Sequence, residues 1–476
     1  MKLLKDRLTL ARHLAAPILA AGMTVGTLLP TPASAQQTPW NFDPSNLTNV
    51  NGTLYLSGNS RPFRPPGEEL WKSNGTTTGT TLIQDIFPGS ASSGLSNFIN
   101  VNGTLYFIAD NGTNGYELWK SNGTAAGTVM VKDIVPGSGS SYPYSLTNVN
   151  GTLYFIANNG TNGYELWKSN GTAAGTVIVK DTVPGSGSSD PSNLTNINGT
   201  LYFTTSNGTN GYELWKSNGT AAGTVMVKDI VPGSGSSYPY SLTNVNGTLY
   251  FIANNGTNGY ELWKSNGTAA STVMVKDIVP GSGSSDSYSL TNVNGTLYFT
   301  TNNGTQGYEL WKSNGTVAGT TIVVDLLPGL DSSNPYSLTN VNGTLYFVAN
   351  NGSNGYELWK SNGTEASTVF IRDINPGLDS SNPYSLTNIN GTLYFAADNG
   401  SNGYELWKSN GSYASTVLVK DIRIGSESSS LRELTNVNGT LYLVADDGSF
   451  DPNNATYGSR LWKSNGTVAG TVKVYP

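Results

Sequence analysis

A chain of 476 residues with no cysteine, a single histidine and only 12% charged residues excludes much chemistry at once. Disulfide frameworks, Ser-His-Asp and Cys-His nucleophile systems, haem, iron–sulfur clusters and His- or Cys-ligated zinc all need side chains that are missing or unrepeated. With 25 basic against 31 acidic residues and no basic run, the chain lacks the Lys and Arg surface that neutralises phosphates, which argues against a nucleic-acid partner.

Residues 1–35 read as a secretory signal. Lys2, Lys5, Arg7 and Arg12 precede an apolar run from Leu14 to Leu29 and the small-residue Ala33-Ser34-Ala35, the pattern of an export signal cut after Ala35. Cleavage leaves 441 residues with 21 basic and 30 acidic side chains, a net charge of −9, and removes His13, the only histidine. No later apolar stretch approaches the roughly 20 residues of a membrane-spanning helix. The expectation is a soluble protein, secreted or at the cell surface, held together by packing alone.

Residues 36–476 then read as one domain of nine repeats. Leu-Trp-Lys-Ser recurs with Trp at 71, 119, 167, 215, 263, 311, 359, 407 and 462, in seven steps of 48 residues and a last step of 55. Asn-Gly-Thr-Leu-Tyr recurs in the same phase from Asn51 to Asn438. One unit shows the elements. Ser145–Val149 is a short strand and Asn150-Gly151 a type I′ turn, because both residues tolerate positive φ. Thr152–Ala157 is a second strand, rich in β-branched and aromatic residues. A polar loop leads to a third strand at Tyr164–Lys168, and a further turn to a fourth at Thr176–Asp181. Pro184-Gly185 carries the chain onward. Helical spacing is absent.

Four antiparallel strands in about 48 residues match a β-propeller blade. The runs Leu153–Ala157 and Val177–Val179 are apolar on both faces, as a blade packed between two neighbours requires. An open β-solenoid is the alternative, but its coils lack tight antiparallel hairpins. The expected fold is therefore all-β, a propeller of nine four-stranded blades. Nine exceeds the usual four to eight, and complete units at both ends imply closure by packing of the first blade on the last, with help from the Trp40 segment.

The string Glu-Leu-Trp-Lys-Ser-Asn-Gly-Thr-x-x-Gly-Thr, as at Glu117–Thr128, closely resembles the ELWxxDGT repeat family of secreted and surface proteins. The similarity covers all nine units and continues through Val-Lys-Asp-Ile-x-Pro-Gly at Val131–Gly137. It implies an exported propeller-like protein and no defined enzymatic activity. Two departures stand out. The motif's Asp is Asn in every copy, from Asn74 to Asn465, and the last unit has Ser459-Arg460 where the others have Tyr-Glu or Glu68-Glu69. The strand order also resembles that of Kelch blades, without their Gly-Gly doublet.

Among candidate functional groups, the nine repeat tryptophans suit the blade core better than a sugar-stacking surface, since they recur at one strand position. Eight glutamates (Glu69, Glu117, Glu165, Glu213, Glu261, Glu309, Glu357, Glu405) and eight aspartates (Asp85 through Asp421) also recur. A glycosidase needs two acids in different environments, which equivalent repeats do not supply. The aspartates are expected to cap Pro-Gly turns, and the glutamates to pair with a lysine of their own or the neighbouring unit. The sequence implies no organic cofactor. Calcium is the one metal it allows, at Asp446, Asp447 and Asp451 of the divergent last loop, where carboxylates are most concentrated. The Asn-Gly-Thr triplets match a glycosylation pattern, yet their role as turns explains them.

The loops from fourth to first strands carry Tyr142, Tyr144, Tyr238, Tyr240, Tyr288, Tyr336 and Tyr384. With the Asn-rich loops between second and third strands they should share one propeller face, where Tyr and Asn can stack on and hydrogen-bond a glycan. The reading is a non-catalytic, monomeric, multivalent binding or adhesion module for extracellular polysaccharide or a cell-surface partner. Two alternatives stand beside it. One is a polysaccharide-degrading enzyme using carboxylates of the divergent first (Ser57–Glu69) or last (Asp446–Arg460) loop. The other is a structural matrix protein without a specific ligand.

Overall fold

Asn150 (φ 49°) and Gly151 (φ 84°) both sit in the left-handed region, and this type I′ turn sets the register of everything around it. In the computed structural model, which describes residues 42–59, 67–451 and 456–474, the turn joins Tyr144–Val149 to Thr152–Asn158, with Val149 opposite Thr152. The third strand, Tyr164–Ser169, pairs with the second from Leu153↔Ser169 to Asn158↔Tyr164, and Val177–Lys180 completes the sheet. The same pattern yields nine four-stranded antiparallel sheets. The strand pattern in the sequence does not single out the residue after Tyr144. Ser145 has φ 54° and bulges the first strand, as do Asn, Ser or Glu433 in the other blades.

The second strand is buried on both faces from Leu153 to Ala157, and the two faces belong to different cores. Leu153, Phe155, Ala157 and Trp167 of blade 3 pack on Tyr106, Ile108, Leu118 and Val131 of blade 2. Tyr154 and Leu166, on the opposite face, pack on Leu201, Phe203 and Trp215 of blade 4. Each core is thus shared between neighbours, so a lone blade would expose two apolar faces. The nine repeat tryptophans are 4–6% exposed and lie in these cores.

First strands of successive blades lie side by side, and that of blade 1 (Ser45–Val50) lies against that of blade 9 (Arg432–Val437). The blades therefore close into a β-propeller. Near the Asn-Gly turns an asparagine belt follows the ring. Asn49 Nδ2 donates to Asn436 O (3.0 Å), Asn196 to Asn148 O (3.2 Å), and Asn292 to Asn244 O (3.1 Å). Each of these side-chain oxygens accepts from the turn glycine three residues on, for example Gly52 N at 2.8 Å.

The described residues form one compact unit that holds all nine blades. The expected signal segment and Trp40 lie outside the described residues. Among the described residues no helix is long and apolar enough to cross a membrane.

Candidate functional site

The linker between blades is where local chemistry and face geometry meet. Glu117 is fully buried, and its carboxylate accepts from Ile134 N (3.2 Å) and Val135 N (3.4 Å) at the start of the linker. It also accepts from Ser141 N (3.0 Å) and Ser141 Oγ (2.6 Å) at its end. Six other glutamates make the same clasp, as Glu69 does with Ile86 N and Ser93 N, while Glu261 accepts from Ile278 N and Val279 N at the linker's start. This corrects the expected pairing with lysine. The repeat lysines instead reach carbonyls of the next blade, such as Lys120 Nζ to Gly171 O at 2.8 Å. Burial pushes the carboxyl pKa up to about 7 at Glu69, Glu117, Glu261, Glu309, Glu357 and Glu405, and raises it at Glu165 and Glu213. The N–H and O–H donors offset only part of that rise.

Five of the eight aspartates cap the linker turn as expected, and Asp181, Asp277 and Asp325 bond the Asn or Gln of the neighbouring loop instead. Asp133 Oδ2 accepts from Gly137 N (3.3 Å) within the turn and from Asn114 Nδ2 (2.8 Å) of the Asn-rich loop. That second bond ties the two loops together and puts them on one face. The recurring Asn of the Ser-Asn-Gly-Thr turn also has a defined role. Asn122 uses Oδ1 to accept from Thr124 N and Thr124 Oγ1, so only the acceptor that Asp and Asn share is needed.

With the linker clasped, the tyrosines are fixed on this face. Tyr142 N donates to Tyr116 O (3.3 Å) and its ring stacks on Tyr116 at 5.8 Å, 24° apart. Tyr144 meets Tyr164 edge to face at 5.8 Å. Together with Ser96, Ile108 and Pro143 these four rings line a hollow of about 340 Å³. Two blades on, Tyr238 stacks on Tyr212 (5.5 Å, 19°) and Tyr240 packs on Tyr260 (5.8 Å). Tyr142 and Tyr238 are 55% and 51% exposed, yet both hold φ 44°, a left-handed conformation that costs a non-glycine residue about 1–2 kcal/mol. Tyr288, Tyr336 and Tyr384 are half-buried beside Tyr308, Tyr356 and Tyr404. All seven tyrosines singled out from the sequence therefore lie on the linker face. Their partners at the start of each third strand were missed, although Tyr before Glu-Leu-Trp is visible in seven repeats.

The divergent last loop is arranged differently. Asp446 pairs with Arg423 (2.9 Å) and Asp447 with Lys473 (2.7 Å). Burial alone would raise Asp447, but Lys473 and Ser449 outweigh it and hold the carboxyl below its usual range. Asp446 and Asp447 thus already face cationic side chains, and the Asp451 side chain lies outside the described residues. Among the described residues no group of three or more His, Cys, Asp or Glu side chains is placed to hold a metal ion. Of the divergent first loop, residues 60–66 also lie outside the description.

No family model matches this chain, and no curated protein matches it. Among solved structures, a prolyl endopeptidase aligns over 78% of this chain and 54% of its own, at 12% identity and a TM-score of 0.41. The puromycin hydrolase S511A mutant complexed with PGG aligns over 85% and 58%, at 11% identity and 0.37. The Pyrococcus horikoshii acylaminoacyl peptidase aligns over 85% and 59%, at 9% identity and 0.35. This chain spans less than two thirds of the length of each. At these values the likeness bears on no residue and no activity of this propeller.

Proposed function

We propose that this protein is an exported, non-catalytic propeller that binds extracellular polysaccharide through the tyrosines of its linker face. The observation that carries this reading is the pair of equivalent tyrosine clusters, Tyr116–Tyr142–Tyr144–Tyr164, which lines a hollow, and Tyr212–Tyr238–Tyr240–Tyr260. Each has one exposed ring, at a linker position whose left-handed backbone is met elsewhere by the smaller Gly94, Asp190, Asp286, Asn334, Asn382 and Ser430, so the turn itself does not require a large ring. Flat phenolic rings with hydroxyls at their edges stack on the apolar faces of sugars while hydrogen-bonding their rims. Repetition suits a repetitive ligand, because linked weak sites gain avidity. The recurring glutamates are fully committed to linker N–H groups, which further supports a role without catalysis for that set.

The test is a glycan array followed by calorimetry against cell-wall polysaccharides, with wild type compared with the double variant Tyr142→Asn, Tyr238→Asn. Asn occupies the same position at 334 and 382 with similar φ, so the variant should fold. Binding that disappears in the variant is expected. Failure to bind any glycan, or one tight small-molecule site, would overturn the reading.

A further inference from the structure

The position held by Tyr142 and Tyr238 alternates from blade to blade. In the intervening linkers it is Asp190 and Asp286, both exposed and both in the same left-handed conformation (φ 43° and 47°). Each carboxylate sits among tyrosines. Tyr212 OH donates to Asp190 Oδ2 and Tyr308 OH to Asp286 Oδ2, each at 3.4 Å. Asp190 N donates to Tyr164 O (3.3 Å), and the Tyr144 and Tyr240 rings, whose hydroxyls feel Asp190 and Asp286, pack 5.8 Å from Tyr164 and Tyr260. Burial, followed by the nearby Asp charge, pushes the Tyr144 and Tyr240 hydroxyls up to about 12, consistent with that proximity. Among the described residues no lysine or arginine pairs with either aspartate; the ion pairs use Asp43, Asp446, Asp447 and Glu427.

A carboxylate left without a counter-ion beside two or three aromatic rings is the chemistry that receives an organic ammonium, by charge from the acid and by the negative faces of the rings. These places are not isolated. Tyr116–Tyr142, Tyr144–Tyr164, Asp190–Tyr212, Tyr212–Tyr238, Tyr240–Tyr260 and Asp286–Tyr308 follow one another across blades 2 to 6. Stacking places and anionic places therefore alternate along one track. Resting on the polysaccharide reading above, we infer that the ligand is a glycan carrying free amino groups, with sugar rings on Tyr142 and Tyr238 and ammonium groups at Asp190 and Asp286. The net charge of −9 after signal removal favours approach of such a cation.

The experiment is calorimetry of the signal-free chain with a glucosamine hexamer and an N-acetylglucosamine hexamer, at a pH where the amine is protonated. The comparison variant is Asp190→Asn, Asp286→Asn, which copies the residue native at 334 and 382, where Asn334 Nδ2 bonds Tyr356 OH at 3.2 Å. Wild type should prefer the amine hexamer by about tenfold, and the variant should lose that preference while still binding the acetylated hexamer. Equal binding of both hexamers by wild type would overturn the amine inference and leave the polysaccharide reading standing. Binding of neither would overturn both. A lysine hexapeptide bound as tightly as the glucosamine hexamer would overturn the assignment to a sugar.

Discussion

Eight of the nine blade junctions are spanned by a linker, and the ninth, between the last blade and the first, is not. At the eight, a buried glutamate holds the linker, at seven of them by both ends, as Glu117 grips Ile134 and Ser141, and at Glu261 by its start. At the ninth no linker exists, so a buried carboxylate would find no N–H groups to accept from. The chain changes both partners together. Arg460 stands in the glutamate position and turns Nη1 onto Gly458 O (2.8 Å), and Phe42 stands where the linker serine would. Phe42 is fully buried, with its ring edge-on to Trp71 at 5.0 Å, in a core with Leu56 of blade 1 and Val437, Tyr442 and Val444 of blade 9. Polar bonds complete the seam. Leu47 N donates to Glu433 Oε2 (2.6 Å) and Thr77 Oγ1 to Val474 O (2.9 Å). The lesson is that one ring can be held by two means, a clasped linker or an inserted aromatic plug.

The largest effect should come from removing the plug. Phe42→Ala leaves a cavity in the closing core and should cost about 4 kcal/mol. In hydrogen exchange, the first strands of blades 1 and 9 should then lose protection before those of blade 5. Uniform loss around the ring would contradict a distinct seam.

Glu117→Gln breaks a clasp instead. The amide places an N–H₂ against at least one linker N–H, so a buried donor loses its partner, at a cost of about 2 kcal/mol. Urea denaturation should register this, and seam protection should stay at its wild-type level. Equal stability of wild type and variant would show that the clasp contributes nothing.

The clasps should also make stability depend on pH. Their carboxyl pKa rises from an ordinary 4.5 to about 7 on folding, so the folded state holds protons that the unfolded state has released. Stability from this source is therefore full below about 4.5 and falls as pH climbs to about 7. Thermal scans should show a midpoint lower at pH 8 than at pH 5, by roughly a few degrees. A midpoint that rises over this window would contradict the assignment.

The smallest effect belongs to the pair between Arg432 and Asp43, 2.7 Å apart with 38% and 54% of their side-chain surfaces exposed. Asp43→Asn should cost about 0.5 kcal/mol or less, and high salt should abolish the difference. A larger cost would mean that charge, and not the plug, closes the ring.

Much of this molecule is local and could be read without coordinates. Asn-Gly turns, β-rich runs apolar on both faces and a 48-residue period define strands, blades and the buried tryptophans, because each depends on neighbours a few residues away. The expected second strand, Thr152–Ala157, ends one residue short of the observed Thr152–Asn158. The linker tyrosines were legible for a similar reason, since alternating turn signals assign loops to faces.

What only the tertiary structure decided lies between blades. The asparagine belt, the partners at the start of each third strand, and the choice of linker N–H groups over lysine by the glutamates all join residues 17 to 50 positions apart or more. The periodicity names such residues without saying which atoms meet, because hydrogen-bond geometry is set by how adjacent blades stack. The exchange of glutamate and serine for Arg460 and Phe42 is the clearest case. In the sequence these are two unrelated departures at opposite ends of the chain, and ring closure makes them one junction.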